Sequence, residues 1–237
     1  MISYDLLIIG SGPAFAQRQY CSRLHSMQLY AITDRKRLLP SRSDGQPTEA
    51  ALRRRLFGLV DGWTAGGVDF IQLREKDLDA PQLQSLAREM MEKIDRNRSK
   101  LLVNVSAPGS APLALAAGAD GVHLAGRPTP GVASSVRQAF RSRGRDAIIS
   151  VPCHDLEDIR VAVEEQVDLL LFSPVFEKFS APPQGLEALH RACVAARGIP
   201  VFALGGVTLA NAPACLAVGA AGVAGIRLFA EDDWRRL

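Results

Sequence analysis

Short apolar runs alternate with longer amphipathic stretches along most of the chain. The apolar runs are bounded by turn residues and rich in β-branched side chains, which is typical of strands buried on both faces of a parallel sheet. They predict eight strands, at residues 28–33, 68–74, 101–104, 121–124, 147–151, 168–172, 200–204 and 222–226. The stretches between them predict helices near residues 48–66, 80–97, 108–118, 131–143, 155–166, 185–197 and 208–218, with a short one near 229–236.

This order of elements predicts a closed (β/α)8 TIM barrel. A helix follows each of the eight strands, and no segment carries the signal of an antiparallel hairpin. In TAGGVDFIQ, LAAGADGVH and LAVGAAGVAG a helix ends in glycine just before a strand, and glycine suits a left-handed helix cap there. We assign residues 28–237 to the barrel and residues 1–27 to an N-terminal extension. A doubly wound open sheet is the alternative.

The N-terminal extension contains a stretch similar to a dinucleotide-binding turn. In YDLLIIGSGPAFAQ an apolar run leads to Gly10 and Gly12, but Phe15 stands where the third glycine is required. Asp34 lies near the distance expected for the acidic residue, yet the barrel's first strand already accounts for that segment. We therefore expect a short amphipathic helix in residues 1–27 and no dinucleotide-binding domain.

Composition and charge exclude several classes of protein. Apolar residues form 47% of the 237-residue chain and the net charge is +3, with arginines spread along the chain, so we expect no nucleic-acid partner. We also expect no membrane association, because no apolar run reaches the length of a membrane span, and Asp5 argues against a secretory signal. The cysteines show no metal-ligand spacing, which favours reduced thiols in a cytoplasmic protein. They are Cys21, Cys153, Cys193 and Cys215.

The carboxyl ends of the strands, where active sites of TIM barrels lie, carry several polar residues. Gln72, Arg74 and Lys76 alternate at the end of the second strand, so all three point towards the barrel mouth. An amide, a guanidinium and an ammonium group together suit a phosphate or diphosphate, and Asn104 ends the third strand nearby. The alternative is a solvated rim in which Arg74 pairs with Glu75 or a neighbouring acid.

His154, in the loop after the fifth strand, is the candidate for proton transfer. An imidazole titrates near neutral pH and needs no metal, although a single histidine is more often structural. His123 is less persuasive because it suits the barrel interior. Cys153 resembles a thiol nucleophile beside His154, but adjacent residues need not meet, and we favour a structural role.

Glycines after the later strands predict a phosphate site. Gly205 and Gly206 follow the seventh strand, Ile226 and Arg227 end the eighth, and Gly185 follows the sixth. Backbone N–H groups approach a phosphate closely at glycine, and the loops after strands seven and eight form the common anion site of this fold. Glycine pairs also form ordinary tight turns. No cluster of acidic residues resembles a metal site.

Taken in order, these motifs resemble the thiamin phosphate synthase/TenI superfamily. LYAITD, GGVDFIQLREK, LLVN, GADGVHL, CHDLED, PVF, GLEAL, IPVFALGGVT and GVAGI follow its barrel over residues 28–230. The resemblance implies an enzyme of thiamin biosynthesis whose partners are a phosphorylated thiazole or pyrimidine, with a homo-oligomer left open. Thiamin phosphate synthases join a pyrimidine diphosphate to a thiazole phosphate with Mg²⁺. The TenI branch includes a tautomerase that aromatises the thiazole phosphate carboxylate.

The chain departs from the synthase pattern at several positions. Val105 and Pro128 replace the two acids that hold Mg²⁺, Pro152 replaces a small hydroxyl residue, and Arg227 replaces a serine. We therefore expect no metal or other cofactor, with Mg²⁺ only if the synthase alternative holds. His154 falls where the TenI branch places its catalytic histidine. The leading hypothesis is a TenI-like tautomerase with His154 as acid and base; the alternatives are a thiamin phosphate synthase and a non-catalytic regulator that binds a thiamin precursor.

Overall fold

Eight parallel strands close into a barrel in the computed structural model, which describes residues 27–37, 48–106, 111–176 and 182–237. The strands are β1 Gln28–Ile32, β2 Phe70–Leu73, β3 Lys100–Val105, β4 Gly121–Leu124, β5 Ile148–Cys153, β6 Leu169–Phe172, β7 Val201–Ala203 and β8 Gly222–Gly225. Each strand pairs with the next along the chain, and β8 pairs with β1 to close the sheet. The predicted TIM barrel is confirmed.

Seven α-helices cover the outside of the barrel in the described part of the chain. They are α1 Glu49–Gly66, α2 Ala80–Lys93, α3 Ala111–Ala117, α4 Val132–Arg141, α5 Leu156–Glu164, α6 Gly185–Ala195 and α7 Ala212–Ala217. None of the helices in those ranges combines the length and apolarity needed to cross a bilayer. The predicted N-terminal extension lies outside the described residues except for Met27.

The C-terminal segment differs from the helix predicted near 229–236. It forms two short 3₁₀ helices, Arg227–Phe229 and Asp232–Arg236. The rings of Phe229 and Trp234 lie 5.8 Å apart, and Trp63 of α1 donates its indole N–H to the Phe229 carbonyl at 2.9 Å. We attribute the break between the two 3₁₀ helices to this packing against α1, which holds both aromatic side chains in the core.

Three helices end at glycine, as the sequence predicts. Gly67 after α1, Gly118 after α3 and Gly219 after α7 have φ of 87°, 80° and 106°. Each glycine donates its N–H to a carbonyl in the last turn of its helix. These left-handed caps turn the chain towards β2, β4 and β8 without the strain that a side chain would introduce.

Three aspartates join neighbouring strands at the amino-terminal end of the barrel. Asp69, Asp120 and Asp168 stand just before β2, β4 and β6. Each accepts a hydrogen bond from an N–H of the preceding strand, β1, β3 or β5, at 2.8–2.9 Å. Ala221 occupies the corresponding place before β8. These three hydrogen bonds connect β1 with β2, β3 with β4 and β5 with β6 at the end of the barrel opposite the mouth.

Side chains in the barrel interior form layers of four, each drawn from alternate strands, as in other TIM barrels. The strand register and the alternation of side chains give four successive layers from the core to the mouth. These are Tyr30, Leu102, Ser150 and Phe202; then Gln72, His123, Leu171 and Ala224; then Ile32, Asn104, Pro152 and Leu204; then Arg74, Ala125, Ser173 and Ile226. The aromatic rings of the first layer fill the interior, so a site can begin only above them.

Candidate active site

A cavity of about 640 Å³ opens at the carboxyl ends of the strands, a volume typical of small-molecule sites. Its polar lining, contributed by β2, β3, β4 and the loops after them, comprises Gln72, Arg74, Glu75, Lys76, Asn104, Ser106 and His123. Its apolar lining, which comes chiefly from the other strands, includes Ile32, Pro152, Leu171, Leu204 and Ile226. The cavity therefore has a polar wall and an apolar wall that face each other across the barrel mouth.

Gln72 and Asn104 are joined within the polar wall. Gln72 is 1% exposed, and its Nε2 donates to Asn104 Oδ1 at 3.0 Å. The other amide atom, Gln72 Oε1, is buried without a hydrogen-bond partner. An unpaired buried acceptor costs about 1–3 kcal/mol, so this oxygen is suited to a donor supplied by a ligand.

Arg74 and Lys76 bring positive charge to the same wall. Arg74 is half-buried, its N–H donates to Thr33 Oγ at 2.9 Å, and its guanidinium lies 3.7 Å from Asp34. Lys76 is exposed at the rim. The structure thus brings Gln72, Arg74 and Lys76 to one cavity, as the alternation along β2 predicts.

Glu75 lies beside Arg74 along the chain but pairs with Arg35 instead. Both carboxylate oxygens of Glu75 accept the Arg35 backbone N–H at 3.1 Å, and the Arg35 guanidinium lies 3.8 Å away. Burial raises the pKa of Glu75, against the opposing hydrogen bonds from Thr33 and Arg35. The Arg74 guanidinium therefore lies near Asp34 and lines the cavity, and it does not pair with Glu75.

His123 lies on the cavity floor and belongs to the barrel interior at the same time. Its Nδ1 is 3.0 Å from Ser150 Oγ, to which the Tyr30 hydroxyl donates from below at 3.3 Å. Burial, with a smaller contribution from the charge of Arg74, lowers the pKa of His123 from 6.5 to about 3. This imidazole is uncharged at neutral pH.

His154 is exposed above the cavity and is not part of its lining. Its Nδ1 is 2.8 Å from the Ser173 carbonyl oxygen, which also accepts from Gln184 Nε2 at 2.9 Å. Because a carbonyl can only accept, Nδ1 carries the proton, and Nε2, which has no partner among the described residues, is the acceptor of the neutral ring. The His154 backbone N–H donates to Asp158 at 2.8 Å. His154 is therefore oriented to accept a proton at Nε2, at the edge of the mouth.

Arg127 does not add its charge to the cavity. Its guanidinium lies 2.9 Å from Asp155 and 3.1 Å from Asp158, at the amino-terminal end of α5. These contacts connect the loop after β4 to the loop that carries His154. The cations of the described cavity lining are Arg74 and Lys76.

The residues predicted to bind phosphate differ in whether their backbone N–H groups already have a hydrogen-bond acceptor. Gly205 and Gly206 have φ of 93° and 66°, and within the described residues neither N–H has a hydrogen-bond acceptor. The Gly185 N–H already donates to a carbonyl of the β6–α6 loop at 3.0 Å. Ile226 lines the cavity, and Arg227 is exposed at the start of a 3₁₀ helix. Gly205 and Gly206 are the glycines of this set with N–H groups left for an anion.

Cys153 faces the helix layer and not the cavity. It is buried, and burial raises the pKa of its thiol well above the usual value, with further contributions from Asp158 and Asp155. A thiol that stays protonated is a poor nucleophile, which agrees with a structural role.

The residues present do not fit the Mg²⁺ site that the resemblance implies. Val105 is buried in the core between strands and helices, and Pro128 lies in the loop after β4. Neither offers an oxygen ligand of the kind Mg²⁺ prefers. Throughout the described ranges, no three histidine, cysteine, aspartate or glutamate side chains are grouped to hold a metal ion.

The sequence interpretation did not identify the apolar wall. Pro152, Leu171 and Leu204 share the inward side of their strands, just as Gln72 shares the inward side of β2. The same alternation that singles out the polar residues would have found these positions, since the inner face of each strand continues into the mouth.

The comparisons with known proteins cover nearly the whole barrel. Residues 29–229 match the TMP-TENI family model, described as thiamine monophosphate synthase. A Geobacter sulfurreducens protein named "Putative thiamine-phosphate synthase" is 40% identical over 208 residues, covering 86% of this chain and 87% of that protein. A thiamine-phosphate synthase of Albidiferax ferrireducens is 32% identical, covering 85% and 84%. The structure of a thiamine phosphate pyrophosphorylase from Pyrococcus furiosus matches with a TM-score of 0.68 at 26% identity, over 89% of this chain and 91% of that one.

Proposed function

This chain belongs to the thiamine monophosphate synthase/TenI family of thiamin biosynthesis, and on that premise we propose that it joins a pyrimidine diphosphate to a thiazole phosphate. The names of the relatives favour this activity over the tautomerase that the departures in sequence suggested. The position of His154 outside the cavity lining also favours it, because the tautomerase hypothesis depends on that side chain.

The observation that carries the proposal is the division of the cavity into a cationic polar wall and an apolar wall. A diphosphate placed at the rim meets Arg74 and Lys76, whose N–H groups form strong charge-assisted hydrogen bonds with phosphate oxygens. The attached ring then lies deeper, against Leu171 and Leu204. A phosphorylated thiazole approaches from the other side of the mouth, where the N–H groups of Gly205 and Gly206, which have no acceptor among the described residues, meet its phosphate.

The reaction breaks the bond between the pyrimidine methylene carbon and the diphosphate oxygen. The electron pair of that bond leaves with the diphosphate, and the lone pair of the thiazole nitrogen forms the new carbon–nitrogen bond. Negative charge grows on the leaving group, so preorganised cations beside it lower the barrier. Arg74 and Lys76 supply that charge from the protein, at a mouth whose side chains do not fit a magnesium site.

Thiamin phosphate formation from the two substrates tests the proposal. We expect product both with Mg²⁺ and with EDTA, and we expect Arg74→Ala to lower kcat/KM by about 10- to 100-fold, as for a lost charge-assisted hydrogen bond. Arg191→Ala is the matched control, because Arg191 pairs with Glu187 on the exposed face of α6. Absence of product under both conditions would refute the proposal.

A tautomerase is the second candidate, and the fixed orientation of His154 supports it. The Ser173 carbonyl holds Nδ1, which leaves Nε2 as a base at the edge of the mouth. Incubation with the non-aromatic thiazole tautomer tests this activity. Aromatisation that is lost in His154→Gln would establish it, and tight precursor binding without either reaction would instead indicate a binding protein.

A further inference from the structure

Two tight turns follow the neighbouring strands β1 and β2 at the mouth of the barrel. One spans residues 34–37 and the other residues 75–78, and in each the N–H of the last residue donates to the carbonyl of the first, at 2.8 and 3.4 Å. Lys76, which lines the cavity at its exposed rim, is the second residue of the 75–78 turn. The backbone of that turn therefore sets where the Lys76 ammonium group can reach.

Arg35, in the first turn, holds the residues on both sides of Lys76. Its backbone N–H donates to both carboxylate oxygens of Glu75 at 3.1 Å, and its Nη1 lies 3.8 Å from the same carboxylate. Its Nη2 donates to Asp77 at 3.0 Å. Arg35 is 3% exposed, and ion pairs of a buried group are screened much less than those at the surface. The 75–78 turn is thus anchored through its first and third residues to one buried side chain.

Two carboxylates share one nitrogen of Arg35. Nη2 donates to Glu49 at 3.1 Å as well as to Asp77 at 3.0 Å. Glu49 is the first residue of α1, outside the 75–78 turn and outside the described cavity lining. The two acids are therefore similarly placed on Arg35, and only Asp77 belongs to the turn that carries Lys76.

We propose that Arg35 is a positioning residue for the diphosphate, because its hold on Glu75 and Asp77 keeps the Lys76 ammonium group at the rim of the cavity. This inference rests on the proposed function, in which Lys76 binds the diphosphate that leaves. Arg35 is buried and does not line the cavity, so it acts through the turn and does not touch the diphosphate. A guanidinium suits this role because its planar fork serves several carboxylates at once, whereas an ammonium group is a compact point charge.

Affinity for inorganic diphosphate, measured by calorimetry on the full chain, tests the positioning without turnover. Arg35→Lys keeps the charge but loses the fork that reaches Glu75 and Asp77. We expect it to weaken binding by about threefold or more, as for residues coupled through a shared contact. Lys76→Ala lacks the ammonium group that Arg35 positions, so adding Arg35→Lys to it should weaken binding no further.

Asp77→Ala and Glu49→Ala form a matched pair for the second test. Each removes one negative charge and one partner of Arg35 Nη2. Loss of a negative charge favours an anion, so charge by itself predicts tighter binding of diphosphate in both variants. We expect instead that Asp77→Ala binds it about threefold or more weakly and that Glu49→Ala does not bind it more weakly. Asp77→Asn, which keeps an oxygen for Nη2, should recover part of the loss.

Three results would overturn the proposal. They are an equal loss when Arg35→Lys is added to the unaltered protein and to Lys76→Ala, normal or tighter binding by Asp77→Ala, and no diphosphate binding by the unaltered protein. Urea denaturation checks that each variant is folded. If Arg35→Lys does not fold, the comparison of Asp77→Ala with Glu49→Ala still decides.

The outcomes also separate this inference from the proposed function. Independent effects of Arg35 and Lys76 overturn the positioning role even if thiamin phosphate is formed. A loss in Arg35→Lys that depends on Lys76, in a protein that forms no thiamin phosphate, supports the positioning of a diphosphate and refutes the synthase activity.

Discussion

Replacing Gly205 with alanine tests why a glycine stands in the loop after β7. One reason is access of a phosphate to its N–H, and the other is close packing against the loop after β6. A Cβ at Gly205 would lie 2.8 Å from both Cα and Cβ of Pro174, and φ is +93°. Gly198, before β7, is the matched control, because its φ is +91° and no atom lies within 4 Å of a Cβ built there.

The two substitutions share one destabilising effect and differ in the other. A side chain in the left-handed region costs about 1–2 kcal/mol, so Gly198→Ala should lower the free energy of unfolding by that amount. At Gly205 the contact with Pro174 adds about 1–3 kcal/mol, as for other overpacked sites. We therefore expect a loss of about 2–5 kcal/mol for Gly205→Ala. The backbone of Pro174 cannot swing away as a flexible side chain could.

Urea denaturation of both variants measures these losses, and calorimetry measures their affinity for thiazole phosphate. Gly205→Ala should bind the phosphate more weakly, whereas Gly198→Ala should bind it normally. Equal destabilisation by the two substitutions would show that the packing argument is wrong. Unchanged affinity in Gly205→Ala would remove its N–H from the phosphate site.

Three further predictions concern stability. Asp168→Ala should lower the free energy of unfolding by about 1–3 kcal/mol, because the buried N–H of Ile149 in β5 loses its acceptor. The control Asp146→Ala, at an exposed aspartate, should change the free energy of unfolding little. Equal effects of the two substitutions in urea denaturation would contradict this. The pKa of His123 is lowered from 6.5 to about 3 in the folded protein, so between these values the unfolded chain binds the proton and the folded chain does not. The free energy of unfolding should therefore fall by about 1.6 kcal/mol for this residue as pH drops from 6.5 to 5. Thermal unfolding across that range should show a shallower fall in His123→Gln and an unchanged one in His190→Gln; identical slopes in all three proteins would refute it. Arg35→Ala should lower the free energy of unfolding by about 3–5 kcal/mol in urea denaturation, because it leaves the buried carboxylate of Glu75 without its cation. A loss below about 1 kcal/mol would show that the ion pair does not stabilise the fold in this way.

The sequence predicts the polar wall better than it predicts the chemistry near it. Alternation along β2 brings Gln72 and Arg74 to one side, and this needs no tertiary information because it follows from the period of a strand. The partner of Arg74 could not be derived in the same way. Asp34 lies 40 residues earlier, and it meets Arg74 only because β1 and β2 are neighbours in the closed sheet.

His123 and His154 also show which features the sequence predicts and which depend on the tertiary structure. By sequence, His154 has the favourable position at a strand end, and His123 is the candidate for the interior. In the structure His123 lies on the cavity floor, whereas His154 stands above the lining and is held by the Ser173 carbonyl. Strand register decides the depth of each residue, and a step of two residues along one strand moves the inward side chain by two of the four layers.

The amino-acid sequence by itself determined the order of eight strand–helix units, the glycine caps between them and the inward side of each strand. These are local properties, set by the period of the apolar pattern and by the backbone freedom of glycine. Only the tertiary structure decided which inward residues share a layer, which charges pair across loops, and that hydrogen bonds join Tyr30, Ser150 and His123. Tyr30 and Ser150 are 120 residues apart, and such contacts exist only after the sheet has closed with its register fixed.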